Sequence, residues 1–215
     1  MKTLAILAQK GGSGKTTLAV HVAVCATRRN LHTALIDIDP QASAYKWNQS
    51  RPDEIKLDAT KADAGQVPAF LKQAKVGGID LVIIDTAPHS DSAAAIAAQL
   101  ADFVLIPCRP ARFDLDAIAS TAQIAKVAKT PAAVVINAAP RGRLAEEARS
   151  AIEQQGISVL ETVIHQRAAY SHAVIDGRSV HEYEPDGKAA AEIDELYNLI
   201  TRLFGDNAKG RRTTP

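Results

Sequence analysis

The sequence predicts an α/β fold, a mostly parallel twisted sheet with helices on both faces, and three observations carry that prediction. Short apolar runs alternate with longer helical patterns along the chain, as βαβ units require. Runs such as Leu81-Val82-Ile83-Ile84 are apolar throughout, which suits strands covered on both faces. A glycine-rich segment, Lys10-Gly11-Gly12-Ser13-Gly14-Lys15-Thr16-Thr17, joins the first apolar run to the first helical stretch.

Taken in order, the first strand is Thr3–Ala8, built on Leu4-Ala5-Ile6-Leu7-Ala8, and the helix after the glycine-rich turn is Lys15–Arg29. Strands are expected at Thr33–Asp37, Ile55–Ala59, Asp80–Asp85, Phe103–Ile106, Ala133–Asn137 and Ser158–Thr162. Helical patterns fall between or after them at Ala64–Lys75, Ser92–Leu100, Leu115–Lys129, Leu144–Gln155 and Ala169–Asp176, with a last helix from about Gly187 to Phe204. The 215 residues suit one domain, expected over 1–205, with a polar, basic and disordered tail over 206–215.

Composition narrows the classes further. At 47% hydrophobic but only 4% aromatic, the chain must build its core from Ala, Val, Ile and Leu. A net charge of +1 means that any nucleic-acid contact has to come from a local patch. Cys25 and Cys108 are far apart and outside any C-x-x-C pair, so they read as buried free thiols rather than zinc or iron–sulfur ligands, and a reducing cytosol fits. The six histidines show no metal-binding spacing. The first apolar run is too short for a signal peptide, and no stretch approaches the roughly 20 apolar residues of a membrane span.

The glycine-rich segment is the chemical centre of the sequence. A strand, a glycine-rich loop and a helix in that order make a phosphate cradle, because glycines let backbone N–H groups turn toward an anion and the helix N-terminus adds partial positive charge. Lys15 can then reach the β- and γ-phosphates, and the Thr16 hydroxyl can ligate Mg²⁺. The usual P-loop pattern, G-x-x-x-x-G-K-[ST], places a glycine where this chain has Gln9, and this chain adds Lys10 beside the paired glycines.

Ligands of open α/β sheets bind beyond the carboxyl ends of the strands, and carboxylates fall there. The second strand runs into Asp37-Ile38-Asp39-Pro40-Gln41 and the fourth into Asp85-Thr86-Ala87-Pro88. From the residues alone, one of Asp37, Asp39 and Asp85 should orient water and the others should manage a metal ion. Asn137, at the expected end of the sixth strand, offers a donor and an acceptor suited to the edge of adenine, and equally suits a turn. His89 reads as a solvated loop residue sooner than as a sensor of nucleotide state, Asp114 and Asp116 as helix-start residues, and Arg109 and Arg112 as surface charges or part of a dimer face.

The deviant loop with its second lysine, the D-x-D-P-Q and D-T-A-P segments, the Pro107-Cys108-Arg109-Pro110 loop and the run from Thr162 to Tyr170 together resemble the ParA/MinD family of P-loop ATPases. The likeness covers nearly the whole chain and is strongest to the short, plasmid-type (ParF-like) partition proteins, whose loop also begins near the N-terminus. It implies a slow, Mg²⁺-dependent ATPase that closes an ATP-sandwich homodimer. Lys10 would reach across to the partner's nucleotide, Asp39 would position the attacking water, and Thr16, Asp37 and Asp85 would hold the Mg²⁺ shell. Gly11, Gly12, Ser13, Gly14, Lys15, Thr16 and Thr17 would wrap the phosphates and Asn137 would read the base.

The resemblance further implies a cytoplasmic, nucleoid-associated protein that binds non-specific DNA and partitions a plasmid or chromosome. A small centromere-binding (ParB/ParG-like) partner would stimulate its hydrolysis. From Pro107 to Ser150 there are seven Lys/Arg and four acids, a local excess of +3 (7 − 4). Arg141 and Arg143, in a Gly/Pro-containing loop, are the first candidates for DNA contact, and Lys209, Arg211 and Arg212 of the tail are the second. The alternative is a MinD-like, membrane-cycling positioning ATPase. Ile193, Leu196, Tyr197, Ile200, Leu203 and Phe204 fall on one helical face, but that spacing also suits a helix packed on its own domain, so stable membrane association is not expected. Lys10 argues against a metabolic P-loop enzyme, and the cysteine positions argue against a nitrogenase-reductase-like role.

Overall fold

Strand β1 (Lys2–Ile6) lies at the centre of a seven-stranded sheet of order β3-β2-β4-β1-β5-β6-β7, in which every pairing is parallel. The computed structural model describes residues 1–210, with the side chains of 112, 113, 115, 116 and 206–210 outside the description. The other strands are β2 (Thr33–Asp37), β3 (Asp58–Lys61), β4 (Leu81–Asp85), β5 (Phe103–Cys108), β6 (Ala132–Ala139) and β7 (Val159–His165). The helices are α1 (Lys15–Thr27), α2 (Ser43–Gln49), α3 (Val67–Val76), α4 (Asp91–Leu100), α5 (Arg112–Val127), α6 (Leu144–Glu153), α7 (Ala168–Ile175), α8 (Val180–Tyr183) and α9 (Lys188–Gly210).

The two-residue period of the strands divides the core into two layers. Leu4, Ile6, Leu35, Ile83, Leu105 and Val135 point to one face, where α1 and α9 pack. Ala5, Ile36, Ile84, Val104, Ile106 and Val134 point to the other, under α3 to α6. Both faces are covered, which is why these strands read as unbroken apolar runs. The core is mainly aliphatic, as the low aromatic content requires, and Cys25 and Cys108 are free and buried in it, their thiols pushed up to about 12 by desolvation.

Several boundaries differ from the sequence reading. The third strand begins at Asp58, not Ile55, because the backbone that would have entered the sheet is claimed elsewhere. Arg51 donates twice to the Ile55 carbonyl, and the Asn48 amide brackets both the N–H and the carbonyl of Leu57. Residues Asp53–Ile55 form a 3₁₀ turn instead. Asn137 does not end β6, which continues to Ala139 through a register shift with a positive φ at Ala138.

Helices α2 and α8 are additional elements. The second carries a Ser179/Glu182 capping box, an S-x-x-E signal visible in the sequence. Helix α9 passes the expected domain boundary at 205 and runs to Gly210, and 211–215 lie outside the described residues. Its apolar face is buried on its own domain: Ile193, Leu196, Tyr197, Ile200 and Phe204 all belong to the core, and Leu203 packs against it. Among the described residues no helix is long and apolar enough to cross a membrane.

Arg51 pins α2 to α8. Its guanidinium is 1% exposed, pairs with both oxygens of Glu182 at 2.7 and 3.0 Å, donates to the Gly177 carbonyl at 2.9 Å and stacks on Trp47 at 4.5 Å. Removing one partner of a buried ion pair leaves the other charge uncompensated. Arg51→Ala is therefore expected to cost about 3–5 kcal/mol of stability. Urea titration of wild type and variant measures this, and a loss below about 1 kcal/mol would mean the pair is no better than a surface bridge.

Candidate nucleotide site

The loop between β1 and α1 forms a cradle because two of its glycines adopt conformations that other residues rarely take. Gly12 has φ +74° and Gly14 has φ +95°. A Cβ on Gly14 would lie 2.1 Å from Nδ2 of Asn137, so both backbone strain and space forbid a side chain there. Gly14 is also the N-cap of α1 and supplies no side-chain cap, so the first-turn N–H groups of this buried helix are left for an anion. The Asn137 amide donates to the Ser13 carbonyl at 2.7 Å and anchors the loop from β6. The Asn137 amide nitrogen is thus engaged in holding the phosphate loop.

The carboxylates come together through strand order and register. Strands β2 and β1 flank β4, and Asp37 and Ile6 are both in register with Asp85. Asp85 is completely buried and accepts the Thr16 hydroxyl proton through Oδ2 at 2.7 Å, while Oδ1 has no partner among the described residues. Desolvation, reinforced by Asp37 and Asp39, pushes its pKa up to about 7 against the opposing effects of Thr16 and Lys15. Lys15 is 6% exposed, and burial lowers its pKa although Asp85 and Asp39 attract its charge.

Asp37 is buried and uses its two oxygens to accept the N–H groups of Asp39 and Tyr45, each at 3.0 Å. It therefore shapes the turn that presents Asp39, whose half-buried carboxylate accepts the Gln41 N–H at 2.9 Å. A desolvated lysine, a buried carboxylate oxygen without a partner among the described residues beside a threonine hydroxyl, and a helix N-terminus with no side-chain cap fit a Mg²⁺-bound nucleotide: anion on the loop, cation at Thr16 and Asp85.

Lys10 stands at the lip of the cradle. Its ammonium bonds Asp114, in the first turn of α5, at 2.6 Å, and Asp114 is 6% exposed. This gives Asp114 a purpose beyond the helix-start role expected of it. Arg109 lies at the same lip, with Nη2 3.8 Å from where a Cβ of Gly12 would be.

Beside the loop is a cavity of about 540 Å³, walled by Gly14, Thr17 and Asn137 on one side and by His165, Arg167 and Tyr170 on the other. Its size suits a small-molecule site. His165, Arg167 and Tyr170 were legible only as part of a segment resembling a family motif, and no local pattern marks them as a wall.

Arg141 and Arg143 lie between β6 and α6, at the carboxyl edge of the sheet that also carries the phosphate loop, and both are exposed. Lys209 lies on the last turns of α9 with its side chain outside the description, and Arg211 and Arg212 lie outside the described residues altogether. His89 is exposed in its loop, as expected. Elsewhere, Cys25, His181 and Asp194 cluster closely enough to suggest metal ligands. The Arg29 guanidinium already bonds both Cys25 and Asp194, so the protein's own cation fills that place.

The parallel sheet, the anion cradle and the adjacent carboxylates define a P-loop nucleotide-hydrolysing domain. Residues 4–180 match the model of the CobQ/CobB/MinD/ParA nucleotide binding domain, and the chain belongs to this ParA/MinD family. It is an ATPase, and ATP with Mg²⁺ is what its site takes. It is 33% identical to the "Maintenance of carboxysome distribution protein A" of Halothiobacillus neapolitanus, over 92% of this chain and 95% of that one. It is 25% identical to "Protein ParA" of Rhizobium radiobacter, over 95% of this chain and 96% of that one. Its fold is similar to that of the septum site-determining protein MinD of Pyrococcus horikoshii with Mg-ADP, at a TM-score of 0.76 and 18% identity, covering 97% of this chain and 99% of that one. The expected leaning toward plasmid-type proteins gives way here, since the carboxysome-distribution relative is the more similar of the two.

Proposed function

We propose that this ATPase positions a cargo by cycling on and off non-specific DNA. ATP closes a homodimer, the dimer binds the nucleoid, and a cargo-borne partner triggers hydrolysis and release. The observation that carries the reading is Lys10, the second lysine of the loop, whose ammonium bonds Asp114 of α5 at 2.6 Å at the lip where a second subunit would present its nucleotide. Thr16 and Asp85 hold the metal directly or through water, Asp37 shapes the turn around it, and Asp39 orients the attacking water. The nucleoside enters the cavity bounded by Asn137 and Tyr170.

The name of the 33%-identical relative favours a carboxysome-like cargo in place of the plasmid or chromosome that the sequence suggests. Membrane cycling is disfavoured because the apolar face of α9 is already buried in the core.

DNA contact is assigned to Arg141 and Arg143. Phosphate contacts lower log affinity linearly with log salt, by about 0.9 for each phosphate neutralised. With about four contacts per dimer, affinity for a random duplex should fall by roughly 2–3 decades over a fivefold rise in salt. The double variant Arg141→Ala/Arg143→Ala should bind more weakly with a shallower slope. Anisotropy titrations with ATP and with ADP, beside anionic liposomes, make the measurement. Binding that ignores the nucleotide or the salt, or that prefers liposomes, would remove the DNA cycle from the reading.

A further inference from the structure

One buried carboxylate far along the chain organises the outer wall of the nucleoside cavity. Glu192, on α9, is 8% exposed and accepts five hydrogen bonds from that wall. Its Oε1 takes Nδ1–H of His165 at 2.8 Å and two guanidinium N–H groups of Arg167 at 3.1 and 2.5 Å. Its Oε2 takes the backbone N–H of His165 at 3.2 Å and shares the Tyr170 hydroxyl proton, at 3.1 Å, with the Ala189 carbonyl. The Arg167 pKa is raised, first by its hydrogen bond to Glu192. None of these groups lies on the phosphate loop, and Glu192 does not line the cavity.

We infer that Glu192 is a positioning residue for nucleotide binding: from α9 it sets the three wall residues that shape the nucleoside cavity. The inference rests on the reading that the nucleoside occupies that cavity. The physical argument is charge and geometry. Bonds from charged or strongly polarised donors to one carboxylate are the strong ones, and together they hold the backbone at 165 and the side chains at 167 and 170 in one arrangement. Without the negative charge, the Arg167 guanidinium loses its counter-ion and can swing into the cavity. The phosphate loop, Thr16 and Asp85 are untouched, so the bond-breaking step keeps its machinery while the ground-state fit of the nucleoside worsens.

The test uses Glu192→Gln, which keeps shape and removes charge, and Glu195→Gln, an exposed neighbour on the same helix, as control. For Glu192→Gln, ADP affinity by calorimetry and KM for ATP should worsen about tenfold while kcat stays within about twofold, a pattern that separates binding from chemistry. Glu195→Gln should match wild type in all three.

Thermal unfolding checks the fold. If Glu192→Gln does not fold, Glu192→Asp, which keeps the charge on a shorter arm, should show the same split at smaller amplitude. A folded variant with wild-type ADP affinity, or one whose kcat falls at unchanged KM, would overturn the inference. Hydrogen exchange on the wild type separates it from its premise. ADP should protect 164–175, and absence of that protection would overturn both. Protection together with a normal Glu192→Gln would overturn the positioning role alone.

Discussion

Lys15→Ala is expected to leave no measurable nucleotide binding, with a Kd beyond about 1 mM for ADP and ATP alike. The ammonium is 6% exposed and already desolvated in a site built around it, so the protein has met the cost of burying the charge that meets the phosphates. Its removal leaves Asp85 and Asp39 facing an incoming polyanion with nothing to offset them. Lys10→Ala should behave differently. Its ammonium sits on Asp114 at the lip, so ADP binding to a single subunit should survive while ATP-driven dimerisation is lost. Calorimetry with ADP, and mass measurement with a non-hydrolysable ATP analogue, distinguish the two. Normal dimerisation by Lys10→Ala would remove the cross-subunit role, and retained ADP affinity in Lys15→Ala would move the phosphates off the loop.

Asp39→Ala should bind ATP and fail to turn it over, with kcat down on the order of 10²–10⁴-fold, the range for loss of a positioned base or water-orienting group. Asp39 is the one of the three carboxylates that suits this role. Asp85 is fully buried on Thr16, and Asp37 has each oxygen on a backbone N–H, whereas Asp39 is half-buried and has one oxygen bonded to the Gln41 N–H. Positioning and electrostatics are nearly all a protein contributes to phosphoryl transfer, so an enzyme lacking this group should accumulate as the ATP-bound dimer. Single-turnover hydrolysis beside analogue-free dimer formation reads both effects. Wild-type turnover by Asp39→Ala would pass the role to Asp37 or to a group outside these segments.

The phosphate loop and the two acidic strand ends were legible because each is encoded locally. Glycines at 12 and 14 adopt positive φ, a lysine and a threonine follow, and carboxylates close apolar strands. The aliphatic core and the burial of the α9 face were legible for the same reason, since periodicity records which side of an element meets water. Where local pattern and tertiary demand competed, the tertiary demand won. The run at Ile55 reads as a strand, yet Arg51 and Asn48 capture its backbone groups from neighbouring elements, and the strand starts three residues later. Asn137 reads equally as a base reader or a turn residue in the sequence, and the approach of β6 to the loop also makes its Nδ2 the anchor of the Ser13 carbonyl and a reason Gly14 can carry no side chain.

By itself the sequence determined the fold class, the glycine-rich loop and the acidic strand ends beside it, because backbone conformation at a glycine and polarity at a strand end are properties of short segments. The tertiary structure alone decided the register that sets Asp37 opposite Asp85, the pairing of Lys10 with Asp114, and the capture of His165, Arg167 and Tyr170 by Glu192. Those partners are separated by tens of residues or more in the chain: the β2–β4 pairing sets the first pair side by side, and the packing of α5 and α9 against the sheet brings the others within hydrogen-bonding distance.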